Sequence, residues 1–87
     1  MELNDLTGIV IEGSIKIHSD LGPGLLESVY EELLYYRLNK KALRVERQVA
    51  IPVFYEEIKM EVGFRADLII EKSVIVEVKS ICYLSKV

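Results

Sequence analysis

The hydrophobic period of the chain changes near residue 44, and this change constrains the fold more than any other feature. Before that point apolar residues recur every three to four positions, which is typical of helices. From Arg44 onward they alternate, which is typical of strands. Leu21-Gly22-Pro23-Gly24 divides the helical part, because glycines on both sides of a proline make a tight break. The sequence therefore predicts two helices followed by strands.

The two helices are predicted over about residues 5–19 and 25–40. Asp5 is expected to cap the first helix. That helix carries an apolar stripe of Leu6, Ile9, Val10, Gly13 and Ile17. The second helix carries a wider apolar face of Leu26, Val29, Tyr30, Leu33, Leu34 and Leu38.

Three strands are predicted over about residues 45–55, 58–70 and 74–80. Pro52 indicates an edge strand or a bulge in the first, and Gly63 indicates a bulge in the second. Glu56-Glu57 and Glu71-Lys72-Ser73 form the connections, and connections this short force an antiparallel meander. We expect an α/β protein of order α-α-β-β-β, with the meander packed on the two helices in one domain over residues 1–87.

Composition excludes several classes of protein. Hydrophobic residues make up 51% and charged residues 29%, which excludes disorder. No apolar run is long enough to span a bilayer, and the N-terminus lacks the pattern of a signal peptide. The one cysteine, Cys82, predicts neither a disulfide nor a zinc site, so we expect a reducing cytoplasm. The net charge of −3 excludes a strongly basic nucleic-acid binder.

Charged residues interrupt two of the strands that otherwise look like core strands. Glu77 and Lys79 are two residues apart in the last strand, so they share one face. Arg65 and Asp67 interrupt the strand before it. Charges in such strands are costly unless they are paired or bind a metal.

The length of the connection between these strands decides whether the acids meet. If Glu71-Lys72-Ser73 is a three-residue connection, Ile70 pairs with Val74 and Asp67 lies directly opposite Glu77. Two opposed carboxylates repel each other unless a cation lies between them. A two-residue connection would put the acids on opposite faces. The metal-site hypothesis therefore requires an odd-length connection.

Two interpretations of these charges remain open from the spacing. One is a cross-strand salt-bridge ladder in which Arg65 and Lys79 neutralise Asp67 and Glu77. The other is a metal site built from the two acids.

Asp67, Glu77 and Lys79 spell the pattern D…ExK, and the chain around them resembles the PD-(D/E)XK nuclease-like superfamily, with Ala66 in the place of the named proline. Gly24-Leu25-Leu26-Glu27-Ser28-Val29-Tyr30 matches the signature of the GxxExxY protein family. The resemblance runs from about Leu6 to Ser80. Its further matching segments are Leu6-Thr7-Gly8, His18 with Leu21-Gly22-Pro23-Gly24, Val45-Glu46-Arg47-Gln48-Val49 and Phe64-Arg65-Ala66-Asp67-Leu68.

The resemblance implies catalytic roles for Glu27, Asp67, Glu77 and Lys79. Asp67, Glu77 and the carbonyl of Val78 would hold Mg²⁺ or Mn²⁺, since hard oxygen ligands suit these ions. Lys79 would orient or activate the attacking water and stabilise the charge that builds on the phosphate. Glu27 would complete the site directly or through a water.

Further residues are expected to line the site or to touch the substrate. Gln48 and Tyr30 are expected at the edge of the site, and core packing is the alternative role for Tyr30. For His18, a local hydrogen bond or a helix-terminal charge is expected rather than metal binding. A basic helix face is either solvated or a phosphate-contacting patch, and it comprises Arg37, Lys40, Lys41 and Arg44, with Arg47 nearby.

The implied function is metal-dependent hydrolysis of phosphodiester bonds in nucleic acid, with DNA favoured over RNA and no membrane partner. Superfamily members continue after the ExK strand with a helix and a strand that this chain lacks, so we expect a truncated restriction-endonuclease-like core. The alternative is a non-catalytic remnant that acts as an oligomerisation or interaction module. We also expect self-association through an apolar face formed by Val74, Val76 and Val78, with Ile75 and Ile81.

Overall fold

A computed structural model describes residues 1–79 and the backbone of residues 83–86. It confirms the predicted order of two helices followed by three antiparallel strands. The elements are α1 (Leu3–Leu21), α2 (Glu27–Lys40), β1 (Val45–Tyr55), β2 (Ile58–Ile70), β3 (Val74–Glu77) and β4 (Tyr83–Lys86). The short strand β4, which the sequence pattern did not indicate, pairs antiparallel with β3 and extends the sheet order to β1-β2-β3-β4. Ser80, Ile81 and Cys82 lie outside the described residues.

Helix α1 begins earlier than predicted. Glu2 occupies the N-cap position without a side-chain hydrogen bond, and Asp5 lies in the first turn, so the prediction that Asp5 caps the helix was wrong. Asp5 still favours the helix there, because an acid near the N-terminus complements the macrodipole. At the other end Gly22 adopts φ 76° and donates its N–H to the carbonyl of His18. The predicted break after α1 is therefore confirmed.

Helix α2 turns a different face to the sheet than its apolar residues predict. Leu26 and Val29 are 71% and 40% exposed, whereas Leu34, Leu38 and the charged Glu31 are buried. Glu31 can face inward because residues of β1 supply its hydrogen-bond partners. The predicted apolar face of α2 was therefore wrong in its first turn.

The main core lies between the helices and the sheet. Ile70 pairs with Val74, which confirms the three-residue connection between β2 and β3. Val74, Val76 and Val78 are 1%, 0% and 3% exposed. They pack in one cluster with residues of both helices, so the prediction that they form an exposed apolar face was wrong.

The β1–β2 hairpin projects beyond the helices. Its register shifts between Ile51 and Val53, on either side of Pro52, and Gly63 lies among the extra residues of β2. The predicted bulge is thus confirmed, and Pro52 lies in the edge strand of the sheet. All residues from 52 to 65 are exposed. None of the described helices is long and apolar enough to cross a membrane.

Candidate active site

A cleft of about 240 Å³ lies where the end of α1, the start of α2 and the chain after β3 meet. The positive φ values of Gly22 and Gly24 shape the loop between the helices. Glu27, at the first position of α2, and Lys79, just after β3, both line this cleft. Among the described residues, the cleft is lined by His18, Gly22, Pro23, Gly24, Leu25, Glu27, Tyr30 and Lys79. The fold therefore brings together two predicted site residues that are far apart in the sequence.

Tyr30 packs in the core and also lines this cleft. Its ring packs against the main core, and its hydroxyl donates to the backbone carbonyl of Ser14 at 2.8 Å. The same side chain forms part of the cleft wall, and His18 lines the same cleft.

Asp67 links β2 to the ExK segment. Its Oδ2 accepts the backbone N–H of Val78 at 2.7 Å. The β2–β3 pairs run from Ile70–Val74 to Leu68–Val76, and the same register continued by one residue brings Asp67 opposite Glu77. Asp67 and Glu77 are both half-buried. The D and ExK parts of the motif therefore meet at the end of the β2–β3 ladder.

The salt-bridge ladder considered from the sequence is not formed. Within residues 1–79, none of the ion pairs joins Asp67 or Glu77 to Arg65 or Lys79. Arg65 and Lys79 are exposed. The two acids thus lack direct cationic partners in this part of the chain.

The donor groups suit a hard divalent cation. Asp67, Glu77 and the Val78 carbonyl offer oxygen ligands, and Mg²⁺ commonly binds one or two carboxylates while keeping several waters. Asp67 gives one lone pair to the Val78 N–H and retains others, because a carboxylate has about four acceptor sites. Among the described residues no group of three or more His, Cys, Asp or Glu side chains could hold a metal. An Mg²⁺ or Mn²⁺ ion here would therefore depend on two carboxylates and a carbonyl, with waters completing its shell, and this site stays a prediction.

Glu31 is the residue of this region that sequence reasoning missed. Its Oε1 accepts Gln48 Nε2 at 2.7 Å, and its Oε2 accepts Arg47 Nε at 3.2 Å and Nη2 at 2.9 Å. Gln48 Nε2 also lies 3.4 Å from Asp67 Oδ1. The available signal was that Glu31 follows Glu27 by four residues and so shares its helix face.

Arg47 belongs to this cluster and not to the basic face of α2. Its Nη1 donates to Glu32 at 2.7 Å, and its guanidinium lies 4.8 Å from the centre of the Tyr35 ring. The hydrogen bonds to Glu31 and Glu32, helped by the charges of both carboxylates, raise the pKa of Arg47 above its ordinary value. Arg47 therefore stays charged in the folded protein and is held by two acids.

The basic face of α2 forms a second concave surface. Arg37, Lys40 and Lys41 line a cleft of about 260 Å³ together with Tyr36. The Lys40 ammonium lies 5.2 Å from the centre of the Tyr36 ring. Arg37 Nε is buried and has no hydrogen-bond partner among the described residues. Arg44 does not line this cleft, and its Nε lies 3.9 Å from Oε1 of Glu46.

Comparison with known proteins gives one match. The model of the PD-(D/E)XK nuclease superfamily matches residues 4–87. Comparison with curated proteins and with solved structures gave no match.

Proposed function

The chain belongs to the PD-(D/E)XK nuclease superfamily, and on this premise we propose that it is a metal-dependent nuclease that hydrolyses phosphodiester bonds in nucleic acid, with DNA as the first substrate to test. Within the superfamily we assign it to the GxxExxY family on the segment Gly24-Leu25-Leu26-Glu27-Ser28-Val29-Tyr30. The observation that carries the proposal is the hydrogen bond from the Val78 N–H to Asp67. It joins the D and ExK parts of the motif in space.

The reaction divides among a few side chains. Asp67, Glu77 and the Val78 carbonyl would hold Mg²⁺, which lowers the pKa of a bound water and neutralises phosphate charge. Lys79, exposed beside the cleft, donates hydrogen bonds to the attacking water and to the phosphate oxygens as negative charge develops there. Glu27, exposed on the same cleft, accepts a hydrogen bond from the water and so fixes its direction.

The basic cleft on α2 provides a place for the backbone of the substrate. Arg37, Lys40 and Lys41 concentrate positive charge there, although the chain as a whole is acidic. Cationic side chains bind phosphates irrespective of sequence. This surface would hold the strand while the acids and Lys79 act on one phosphodiester.

Calorimetric titration with Mg²⁺ tests the proposal directly. We expect binding heat from the chain and none from Asp67→Ala, because one of the two carboxylate ligands is lost. Asp5→Ala is the matched control, since it makes the same change on an exposed acid of α1. Equal heats from all three proteins would remove the metal site and the proposed function with it.

A second candidate function is association without catalysis. The observation that favours it is the projecting β1–β2 hairpin, whose apolar residues are exposed. A chain that assembles but gives no Mg²⁺ heat and no Mg²⁺-dependent cleavage would be this kind of module.

A further inference from the structure

Two consecutive residues of β1 donate hydrogen bonds to the same helix carboxylate. Arg47 reaches Oε2 of Glu31, and Gln48 reaches Oε1. In a regular strand successive side chains point to opposite faces, so neighbours do not share one partner. Gln48 departs from the regular strand, because its φ is 50°. A non-glycine residue in this left-handed region is strained, and here the strain accompanies a side chain aimed at α2.

The chemistry of its neighbours fixes the orientation of the Gln48 amide. Ionised carboxylates only accept hydrogen bonds, and the Gln48 side chain faces two of them, Glu31 and Asp67. The NH₂ group must therefore point toward the acids and the carbonyl oxygen away from them. Its two hydrogens can serve one carboxylate each. The contact to Glu31 is short at 2.7 Å, and the contact to Asp67 is longer at 3.4 Å.

Glu31 can be the fixed end of this chain of contacts because it is held on both oxygens. Its side chain is 10% exposed, and Arg47 neutralises its charge. Arg47 is itself held by Glu32 and lies against the ring of Tyr35. The stable contacts therefore run from α2 outward to Gln48 and end at Asp67.

We infer that Glu31 is a positioning residue for the candidate metal site. It orients the Gln48 amide, and that amide holds Asp67 where its other oxygen accepts the Val78 N–H and its free lone pairs stay available to a divalent cation. The inference rests on the proposed function and adds to it a residue outside the D…ExK pattern. Glu27 lines the cleft beside Lys79, whereas Glu31 acts only through Gln48.

The test compares Glu31→Gln with Glu32→Gln in the whole chain. Both variants remove one negative charge next to Arg47, but only Glu31 contacts Gln48. An amide at position 31 cannot accept from Arg47 and Gln48 on both of its atoms, since one of them is a donor. We expect Glu31→Gln to weaken Mg²⁺ binding about 10-fold in calorimetry, as is usual when a residue that orients a metal ligand is lost. We expect Glu32→Gln to bind like the parent chain, because Arg47 keeps its two hydrogen bonds to Glu31 and Gln48 keeps its own.

Cleavage kinetics provide a second readout. A positioning role predicts a lower kcat for Glu31→Gln with an unchanged KM for nucleic acid, because the phosphate-binding surface on α2 is intact. Gln48→Met removes the amide at an exposed position. If Glu31→Gln does not fold, Gln48→Met takes its place in the test. We expect the same weakening of Mg²⁺ binding from Gln48→Met. Unchanged Mg²⁺ affinity in folded Glu31→Gln or Gln48→Met would overturn the inference and leave the proposed function standing.

Amide exchange at Val78 separates the inference from the proposed function. If the parent chain binds no Mg²⁺, the proposed function fails, but the placement of Asp67 can still be read from protection of the Val78 N–H. Faster exchange of this amide in Glu31→Gln and Gln48→Met, and not in Glu32→Gln, would support the inference that Glu31 positions Asp67 through Gln48. The same protection in all of these proteins would overturn it.

Discussion

The Asp67 carboxylate accepts the backbone N–H of Val78 at 2.7 Å, just beyond the last paired residues of β2 and β3. A side chain thereby acts as the acceptor where a longer ladder would use a backbone carbonyl. The contact orients the chain that carries Glu77, Val78 and Lys79. Asp67 thus has a structural contact that substitution can separate from its proposed role as a metal ligand.

Asp67→Asn and Asp67→Ala are expected to differ in stability but not in metal binding. The Asn carbonyl oxygen still accepts the Val78 N–H, whereas Ala leaves that N–H without its side-chain acceptor. We expect Asp67→Ala to lose about 1 kcal/mol of unfolding free energy. Asp67→Asn should stay close to the parent chain in thermal denaturation, and calorimetry should show no Mg²⁺ heat for either variant. Equal stability of the two would mean that the contact does not stabilise the fold.

Glu77→Gln and Lys79→Ala should each abolish Mg²⁺-dependent cleavage and leave thermal stability equal or higher. Removing Glu77 relieves repulsion with Asp67 in the metal-free protein. Lys79 is exposed and makes none of the ion pairs found in residues 1–79. Cleavage of labelled DNA and denaturation curves measure the two effects.

The controls for these variants make the same changes away from the site. Glu61→Gln lies on the exposed hairpin, and Lys72→Ala lies in the turn before β3. Both should cleave like the parent chain. A large loss of stability in Glu77→Gln or Lys79→Ala would instead indicate that the charges stabilise the sheet.

Reversal of Lys40 and Lys41 to Glu should weaken nucleic-acid binding. Each lost phosphate contact lowers the slope of log affinity against log salt by about 0.9 on duplex DNA. The matched control reverses Lys59 and Lys72, which changes the net charge equally but far from the α2 cleft. Binding titrations at several salt concentrations measure both variants. If the variant with Lys40 and Lys41 reversed has the same nucleic-acid affinity and salt slope as the parent chain, the basic face of α2 is a solvated surface.

Gly63→Ala should destabilise the hairpin, because an added Cβ would lie 2.6 Å from the Val53 Cβ. Overpacking of this kind costs about 1–3 kcal/mol. In a Val53→Gly background, where the side chain that the added Cβ would meet is gone, Gly63→Ala should cost much less in thermal denaturation. Gly8→Ala is the control, since nothing lies within 4 Å of its added Cβ and alanine favours a helix interior by about 0.5–1 kcal/mol. A neutral Gly63→Ala would show that the bulge can shift.

Much of the fold could be predicted because the signals are local. The change of hydrophobic period located the helices and strands, and the three residues between Ile70 and Val74 determined the register of the β2–β3 pairs. The face of α2 could not be predicted from its own residues, because the burial of Glu31 depends on partners in β1. The short strand β4 has no periodic pattern long enough to indicate it.

The motif names Glu27 and Lys79, and their roles in the site stay predictions. Glu27 and Lys79 share a cleft as the resemblance implies. The resemblance placed Gln48 at the edge of the site, but its contact with Glu31 accompanies a positive φ that its residue type does not favour, so no local pattern indicates that contact. Arg47 was grouped with the basic face of α2 because the residues are near in sequence, but the structure pairs it with Glu31 and Glu32, which lie earlier in the same helix.

The exposed hairpin leads to the expectation that the chain self-associates, through a different surface than the valines of β3. Val53 pairs with Met60 and Tyr55 with Ile58, so these four side chains share one face of the ribbon. They are 36%, 55%, 67% and 58% exposed. Exposed apolar surface of this kind is typically an interaction site, and β1 also leaves one edge of the sheet unpaired in the described chain.

A second copy is the occupant that this surface suits best, because a two-fold axis buries the same patch on both chains and pairs two identical edges. A stable interface covers about 800 Å² per partner. Sedimentation at micromolar concentration should show a species heavier than the 10.0 kDa chain. Met60→Lys with Ile58→Lys should shift it to monomer, whereas Ile15→Lys, on an equally exposed residue of α1, should not. A parent chain that sediments as a monomer would contradict self-association, and a dimer that survives both hairpin substitutions would place the interface elsewhere.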